Sequence, residues 1–250
     1  MSGSEVTLQD ISPTSINVNF NNEEIAGREP ESVLLDENRK SFDINYKPFG
    51  KGLVMASLNI NSLLAHIDEF RVFMNDPKIY IIPINETKLD HSINDNEVYL
   101  PGYEIVRKGR KTNGRHGGVV CVYVKCNLNY KIREDVSSDE LEYVTVEINK
   151  PRSRPLLIST WYRPPDSPTC HFDYFENIVK KVDMTSYDYF LLGDINVDLM
   201  PGVKSINATK LNDIFEIYGL KQLITDPTRT TPFSSTLIDL CVTNAPIKDH

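Results

Sequence analysis

The sequence predicts an α/β chain with mixed sheets, in which helices cover the outer faces and the sheets pack on one another. Three observations carry this. Short apolar runs rich in β-branched and aromatic residues recur along the chain, each bounded by polar turn residues. Some of these runs alternate with helix-spaced segments, but several follow one another directly, which disfavours a purely parallel, doubly wound sheet. With 250 residues and 40% hydrophobic content, the chain is long enough for one large globular domain, or one domain with an appended arm.

Residues 1–50 are expected to form a mostly disordered acidic and polar arm, because their apolar positions show neither helical nor alternating periodicity. The folded domain is expected over 51–250. LVMASL (Leu53 to Leu58) reads as its first buried strand, and the following segment places Leu64, Ile67, Phe70 and Met74 on one helical face. IYIIPI (Ile79 to Ile84), YEIV (Tyr103 to Val106), GVVCVYV (Gly118 to Val124), LEYVTVEI (Leu141 to Ile148) and LLISTWY (Leu156 to Tyr162) are further strands. FDYFENIVKKV restores helical spacing through Phe172, Phe175, Ile178 and Val182. YFLL (Tyr189 to Leu192) returns to strand, then Leu211, Ile214, Phe215 and Tyr218 share a helix face with Gly219 as a stop. TLIDLCVT is the last strand.

No window reaches the roughly 18 to 20 consecutive apolar residues of a membrane span, and the first residues lack a secretory pattern. The chain is therefore expected to be intracellular, with no membrane partner. The four cysteines, Cys121, Cys126, Cys170 and Cys241, show no CxxC spacing, which favours free thiols over a zinc site.

A formal net charge of −8 argues against a nucleic-acid partner until its distribution is considered. Residues 1–50 hold nine acidic against four basic side chains, so −5 of the total belongs to the arm. The segment RKGRKTNGR, by contrast, gathers Arg107, Lys108, Arg110, Lys111 and Arg115 within nine positions. It is either a solvated loop or a phosphate-contacting patch.

Polar groups sit at the ends of five apolar runs. Asn59 follows the first, Glu86 the second, Tyr162 ends LLISTWY, Gly193-Asp194-Ile195-Asn196 follows YFLL, and Asp239 interrupts the last run. Strand ends that open on a crevice are where ligands gather, so these side chains form a candidate convergent site. Each also has a local explanation: a helix cap for Asn59, turn formation for Asp194 and Asn196, packing for Tyr162. Asp239, flanked by Leu237, Ile238, Leu240 and Cys241, is expected to be buried and to need a partner such as a histidine or a metal-bound water.

SLNIN, INETKL, WYRPP, GDIN and STLID, in this order, resemble the endonuclease/exonuclease/phosphatase superfamily. The closer resemblance is to the endonuclease domain that precedes the reverse transcriptase in LINE-type non-LTR retrotransposons, because RKGRKTNGRHGG and YRPPDS are also present. The resemblance covers about residues 52–245. It implies a four-layered α/β/β/α sandwich of two mixed sheets with outer helices. It also implies a Mg²⁺-dependent phosphodiesterase, a DNA-nicking hydrolase with Mn²⁺ as a substitute ion, acting on DNA in a nuclear setting.

The same resemblance implies roles. Glu86 holds the metal and Asn59 helps position it, while Asp194 accepts a proton from the attacking water. Asn196, expected on the same face of an extended segment, fixes the water or a phosphate oxygen, and Tyr162 donates to the phosphate or the departing oxygen. Asp239 orients a phosphate-binding histidine. Arg107, Lys108, Arg110, Lys111 and Arg115 contact the DNA backbone.

The pattern departs from the family at the carboxyl end. Family members finish with an Asp-His pair that opens one more strand, whereas Lys248-Asp249-His250 follows Asp239 too closely and leaves no strand after it. A truncated or domesticated copy, with the same fold but little or no catalysis and acting as a binding module, is therefore the alternative expectation.

Overall fold

The computed structural model of the protein describes residues 18–19, 53–74, 79–90, 92–108, 120–149 and 154–245. Among these residues two six-stranded sheets dominate. The first holds β1 (Val18–Asn19), β2 (Val54–Met55), β3 (Leu58–Asn59), β4 (Ile79–Asn85), β5 (Tyr103–Lys108) and β6 (Val120–Lys125). Its order is β1-β3-β4-β6-β5, with β2 also on β4. β2 and β3 run parallel to β4, whereas β6 is antiparallel to both β4 and β5. The sheet is mixed.

The second sheet holds β7 (Tyr130–Ile132), β8 (Glu142–Ile148), β9 (Leu156–Tyr162), β10 (Asp188–Asp194), β11 (Lys221–Gln222) and β14 (Asp239–Thr243), in the order β11-β14-β10-β9-β8-β7. Only β9 and β10 are parallel neighbours here, and the crossover between them is the helix α2 (His171–Asp183). A separate hairpin pairs β12 (Arg229–Thr231) with β13 (Ser234–Thr236). The remaining helices are α1 (Ile67–Phe73) and α3 (Ile206–Ile217).

Three apolar cores establish the layers. The middle core joins Met55, Ile81 and Val122 of the first sheet to Val144, Ile158 and Phe190 of the second. Outside the first sheet, α1 lays Ile67 and Phe70 against Leu58, Ile82 and Tyr123. Outside the second, Phe172, Phe175, Ile178 and Val182 of α2 and Leu211 and Ile214 of α3 pack on Trp161, Leu191 and Leu240. Strands alternate their side chains between faces, so one strand feeds two cores: Leu191 goes outward and Leu192 inward. The result is the four-layered α/β/β/α arrangement, two mixed sheets with outer helices.

Local chemistry sets several boundaries. Ser205 caps α3, its Oγ accepting from the Ala208 N–H at 3.0 Å, and Gly219 follows the helix at φ +62°. The expected first strand divides into β2 and β3, and its register on β4 shifts within β2, between Val54 and Met55. Leu64, expected on the buried face before α1, is partly exposed, and Leu63 is buried in its place. The cause is a 3₁₀ turn over Leu64–His66, whose tighter winding offsets the helical phase.

β7, β11 and the β12–β13 hairpin add strands that the apolar pattern does not announce. Arg-Thr-Thr and Ser-Ser-Thr are short, polar and almost wholly exposed. Within the expected arm, the backbone of Val18–Asn19 pairs parallel with Leu58–Asn59. The four cysteines are free; Cys121 and Cys241 are buried, and Cys126 and Cys170 are exposed. Among the described residues no helix is long and apolar enough to cross a membrane.

Candidate active site

β3, β4, β9 and β10 end at one rim of the sandwich, and β8 and β14 begin there. Register fixes this: Asn59 stands opposite Asn85, Tyr162 opposite Glu142, and Asp194 opposite Asp239. The predicted strand-end residues therefore reach one rim from both sheets.

The polar contacts tie them together. The Asn59 amide Nδ2 donates to Glu86 Oε1 and to Asp194 Oδ2, both at 2.9 Å, so one side chain bridges the first sheet to the second. Deeper in, Thr160 donates to the Asn85 Oδ1 at 2.8 Å, a buried bond joining β9 to β4. The loops after β3 and β4 are laced as well: Ser62 N–H donates to Glu86 O and Leu63 N–H to Thr87 O, each at 2.8 Å. These loops are wound tightly, with Asn61, Glu86 and Lys88 at φ +48°, +52° and +53°. Non-glycine residues held in the left-handed region cluster at functional sites.

Gly193 is required by a close approach. A Cβ at this position would collide with the Trp161 carbonyl oxygen on β9, so only glycine lets β10 lie flush there and carry Asp194 to the rim.

Asp194 is buried, and its carboxyl is pushed up to about 7. Burial is the main cause and the neighbouring Asp239 charge the next; the Asn196 N–H opposes them, Glu86 adds to the rise, and the Asn59 amide opposes it. Asp239 is buried too, and its carboxyl is raised by burial and by Glu86 against a hydrogen bond from Thr228. The Tyr162 hydroxyl is raised by burial first, then by the charges of Glu86, Asp194 and Glu142 and by a hydrogen bond to Glu86. Glu86, Asp194 and Asp239 thus share one rim, where neighbouring negative charge adds to burial in opposing the ionisation of the two aspartates.

One expectation changes. Asn196 does not continue an extended segment. Its N–H donates to Asp194 Oδ1 at 2.9 Å and its φ is +50°, a turn in which the carboxylate caps its own chain. The Asn196 side chain donates instead to the Arg163 carbonyl at 3.1 Å. For Asp239, Thr228 supplies the polar partner among the described residues, and His250 lies outside them.

In the basic segment, Arg107 and Lys108 have internal partners. Arg107 pairs with Asp95 at 2.8 Å and donates to Ile93 O at 2.7 Å, while Lys108 donates to Ser138 O at 2.6 Å and to Ser137 Oγ at 3.0 Å. Arg110, Lys111 and Arg115 lie outside the described residues. Glu142, Asn85, Thr160, Thr228 and Arg163 join the site without any expectation from sequence. Of these, Asn85 lies within INETKL and Arg163 within WYRPP, where an amide beside a carboxylate and an arginine before two prolines both look like surface residues.

Similar architectures are found among solved structures. The endonuclease domain of TRAS1, a telomere-specific non-LTR retrotransposon, superposes with a TM-score of 0.55 at 15% identity, covering 74% of this chain and 82% of that one. The AP endonuclease LMAP from Leishmania major gives 0.60 at 12% identity, covering 76% and 78%. The fold is that of the endonuclease/exonuclease/phosphatase proteins. A 3′-5′ exonuclease from Neisseria meningitidis shares it, with a TM-score of 0.55 at 16% identity and coverage of 76% and 86%. No family model and no curated protein matches the sequence. The endonuclease/exonuclease/phosphatase fold accordingly rests on architecture, and the likeness to a retrotransposon endonuclease domain on both architecture and the ordered motifs.

Among the described residues no three acidic, histidine or cysteine side chains are arranged to hold a metal ion by themselves. Mg²⁺ asks for less: it takes one or two carboxylates and fills its remaining positions with water and phosphate oxygens. The donor set at the rim fits such an ion. Its oxygens are hard, and the Asp239 and Glu86 charges, which add to burial in raising Asp194, are negative charge that a cation would offset.

Proposed function

We propose that the chain is a Mg²⁺-dependent phosphodiesterase that nicks one strand of duplex DNA, of the kind associated with retrotransposons. The observation that carries this is the Asn59 bridge, which holds the Glu86 and Asp194 carboxylates together across the two sheets. The DNA-processing neighbours support the substrate class, one of them, from Neisseria, being a 3′ phosphatase bound to a product DNA hairpin.

Glu86 would hold the ion, with Asn59 beside it. When bound, Mg²⁺ supplies Lewis-acid stabilisation of charge on the phosphoryl oxygens, and Mn²⁺ can substitute. Asp194, poised near neutrality, accepts a proton from the attacking water. Asp239, directly opposite, raises its basicity, and the Asn196 N–H and the Asn59 amide, each on one carboxylate oxygen, fix its orientation. Tyr162 keeps its proton because its hydroxyl is pushed up, so it can donate to a phosphate or leaving oxygen. Arg110, Lys111 and Arg115 would contact backbone phosphates without reading bases.

Supercoiled plasmid tests this most directly. Incubation with Mg²⁺ should convert it to the nicked circle, and chelation or Asp194→Ala should prevent conversion. A folded chain that leaves the plasmid supercoiled with either ion defeats the reading.

A further inference from the structure

Arg163 is one of the largest fully buried side chains, and among the described residues no carboxylate partners it. Taking a guanidinium out of water without a counter-charge is costly, and an apolar side chain would fill the same space more cheaply. Its contacts suggest why the cost is tolerated. Nη2 donates to Ser167 O at 2.5 Å and Nη1 to Ile195 O at 3.4 Å, while the guanidinium lies 5.0 Å over the Phe172 ring. Its backbone meets the same turn on both sides: Arg163 N–H donates to Asp194 O at 2.9 Å, and Arg163 O accepts from Asn196 Nδ2 at 3.1 Å. Asp194, Ile195 and Asn196 are thus each bound to one residue.

We propose that Arg163 is the positioning residue of the Asp194–Asn196 turn, its planar fork bracing the turn against the Ser167 loop and the first turn of α2. The inference deepens the nuclease reading and rests on it for its catalytic consequence. A lysine keeps the charge but has a single nitrogen, which cannot reach two carbonyls in a fixed plane. The orphan Nε, buried with no partner among the described residues, marks a side chain oriented by its two terminal nitrogens rather than by full satisfaction. The turn needs bracing because Asn196 sits in the left-handed region, which a loosened turn would abandon.

The test compares Arg163→Met and Arg163→Lys with Val182→Ala, a deletion in the α2 core, all in the full chain. Amide hydrogen exchange of residues 194–197 is read beside that of α2 and α3, with plasmid-nicking kinetics alongside. Both Arg163 variants should speed exchange at the turn about tenfold or more while α3 is unchanged, and should lower kcat about 10- to 100-fold with KM nearly constant. Val182→Ala should speed exchange broadly and leave kcat of the folded protein unchanged. Exchange that is unchanged at the turn, or faster equally in turn and helices, overturns the proposal. So does a fully active Arg163→Lys, or failure of both Arg163 variants to fold. If the wild type does not nick, the nuclease reading falls, and turn-selective exchange still decides the bracing role.

Discussion

At the scale of single residues, the site turns on Asp194. Its carboxyl titrates near 7 in the folded chain against 3.8 for the free group, so the folded state holds a proton across that interval that the unfolded state has released. A buried carboxyl of this kind favours folding most below about pH 4, and the advantage is lost as pH rises through 7. Asp239, raised in the same direction, adds to the loss. Metal-free protein should therefore become less stable between pH 4 and 7, as followed by denaturant unfolding, and Asp194→Asn should flatten that slope. On the proposed mechanism the same variant removes the proton acceptor, and plasmid nicking should fall about 10²- to 10⁴-fold. A variant that nicks normally would show that another group takes the proton.

At this scale the sequence was partly legible. Asn59, Glu86, Tyr162, Asp194 and Asp239 all reach one rim, because a strand end announces itself as a polar residue after an apolar run. Glu142 and Thr228 gave no such signal. Their place depends on which strand pairs with which, and pairing is not written in local composition.

At the scale of elements, the two sheets must keep a fixed offset for a carboxylate on one to meet an amide on the other. The buried Thr160–Asn85 bond sets that offset close to the rim. Thr160→Val preserves the shape and orphans the Asn85 oxygen, which should cost about 1–3 kcal/mol in unfolding free energy. Because Asn85 directly precedes Glu86, metal affinity should fall as well, and a stability loss without any change in metal titration would separate the two effects. The helix α2 was readable because Phe172, Phe175, Ile178 and Val182 repeat with the helical period. The β12–β13 hairpin was not, since an exposed Ser/Thr-rich ribbon has no apolar face to reveal its period.

At the scale of the whole molecule, three cores hold the layers rigid, and charge gathers at the rim between them. A cation that binds only the folded chain should raise the melting temperature with saturation. The increment from Mg²⁺ should be larger at pH 8 than at pH 5, because protonated carboxyls bind metal poorly. An equal shift at both pH values would place the ion elsewhere. Long-range charge belongs to this scale too. Neutralising Arg110, Lys111 and Arg115 together should weaken DNA binding and reduce the slope of log affinity against log salt by about 0.9 for each phosphate that the protein no longer neutralises. Binding titrations at several salt concentrations measure it, and an unchanged slope would mean the segment does not meet the backbone.

By itself the sequence determined the main elements and the candidate polar groups: period 2 and period 3.6 separate strands from helices, and polar residues closing apolar runs mark the rim. Only the tertiary structure decided which groups meet. Asn59 and Asp194 lie 135 residues apart and share a hydrogen bond. Asn196 turns back on Asp194, and Arg163 is buried as a cation. The physical reason is that contacts between strands depend on register and sheet order, which arise when the cores close, whereas local patterns record only how each segment buries its own apolar side.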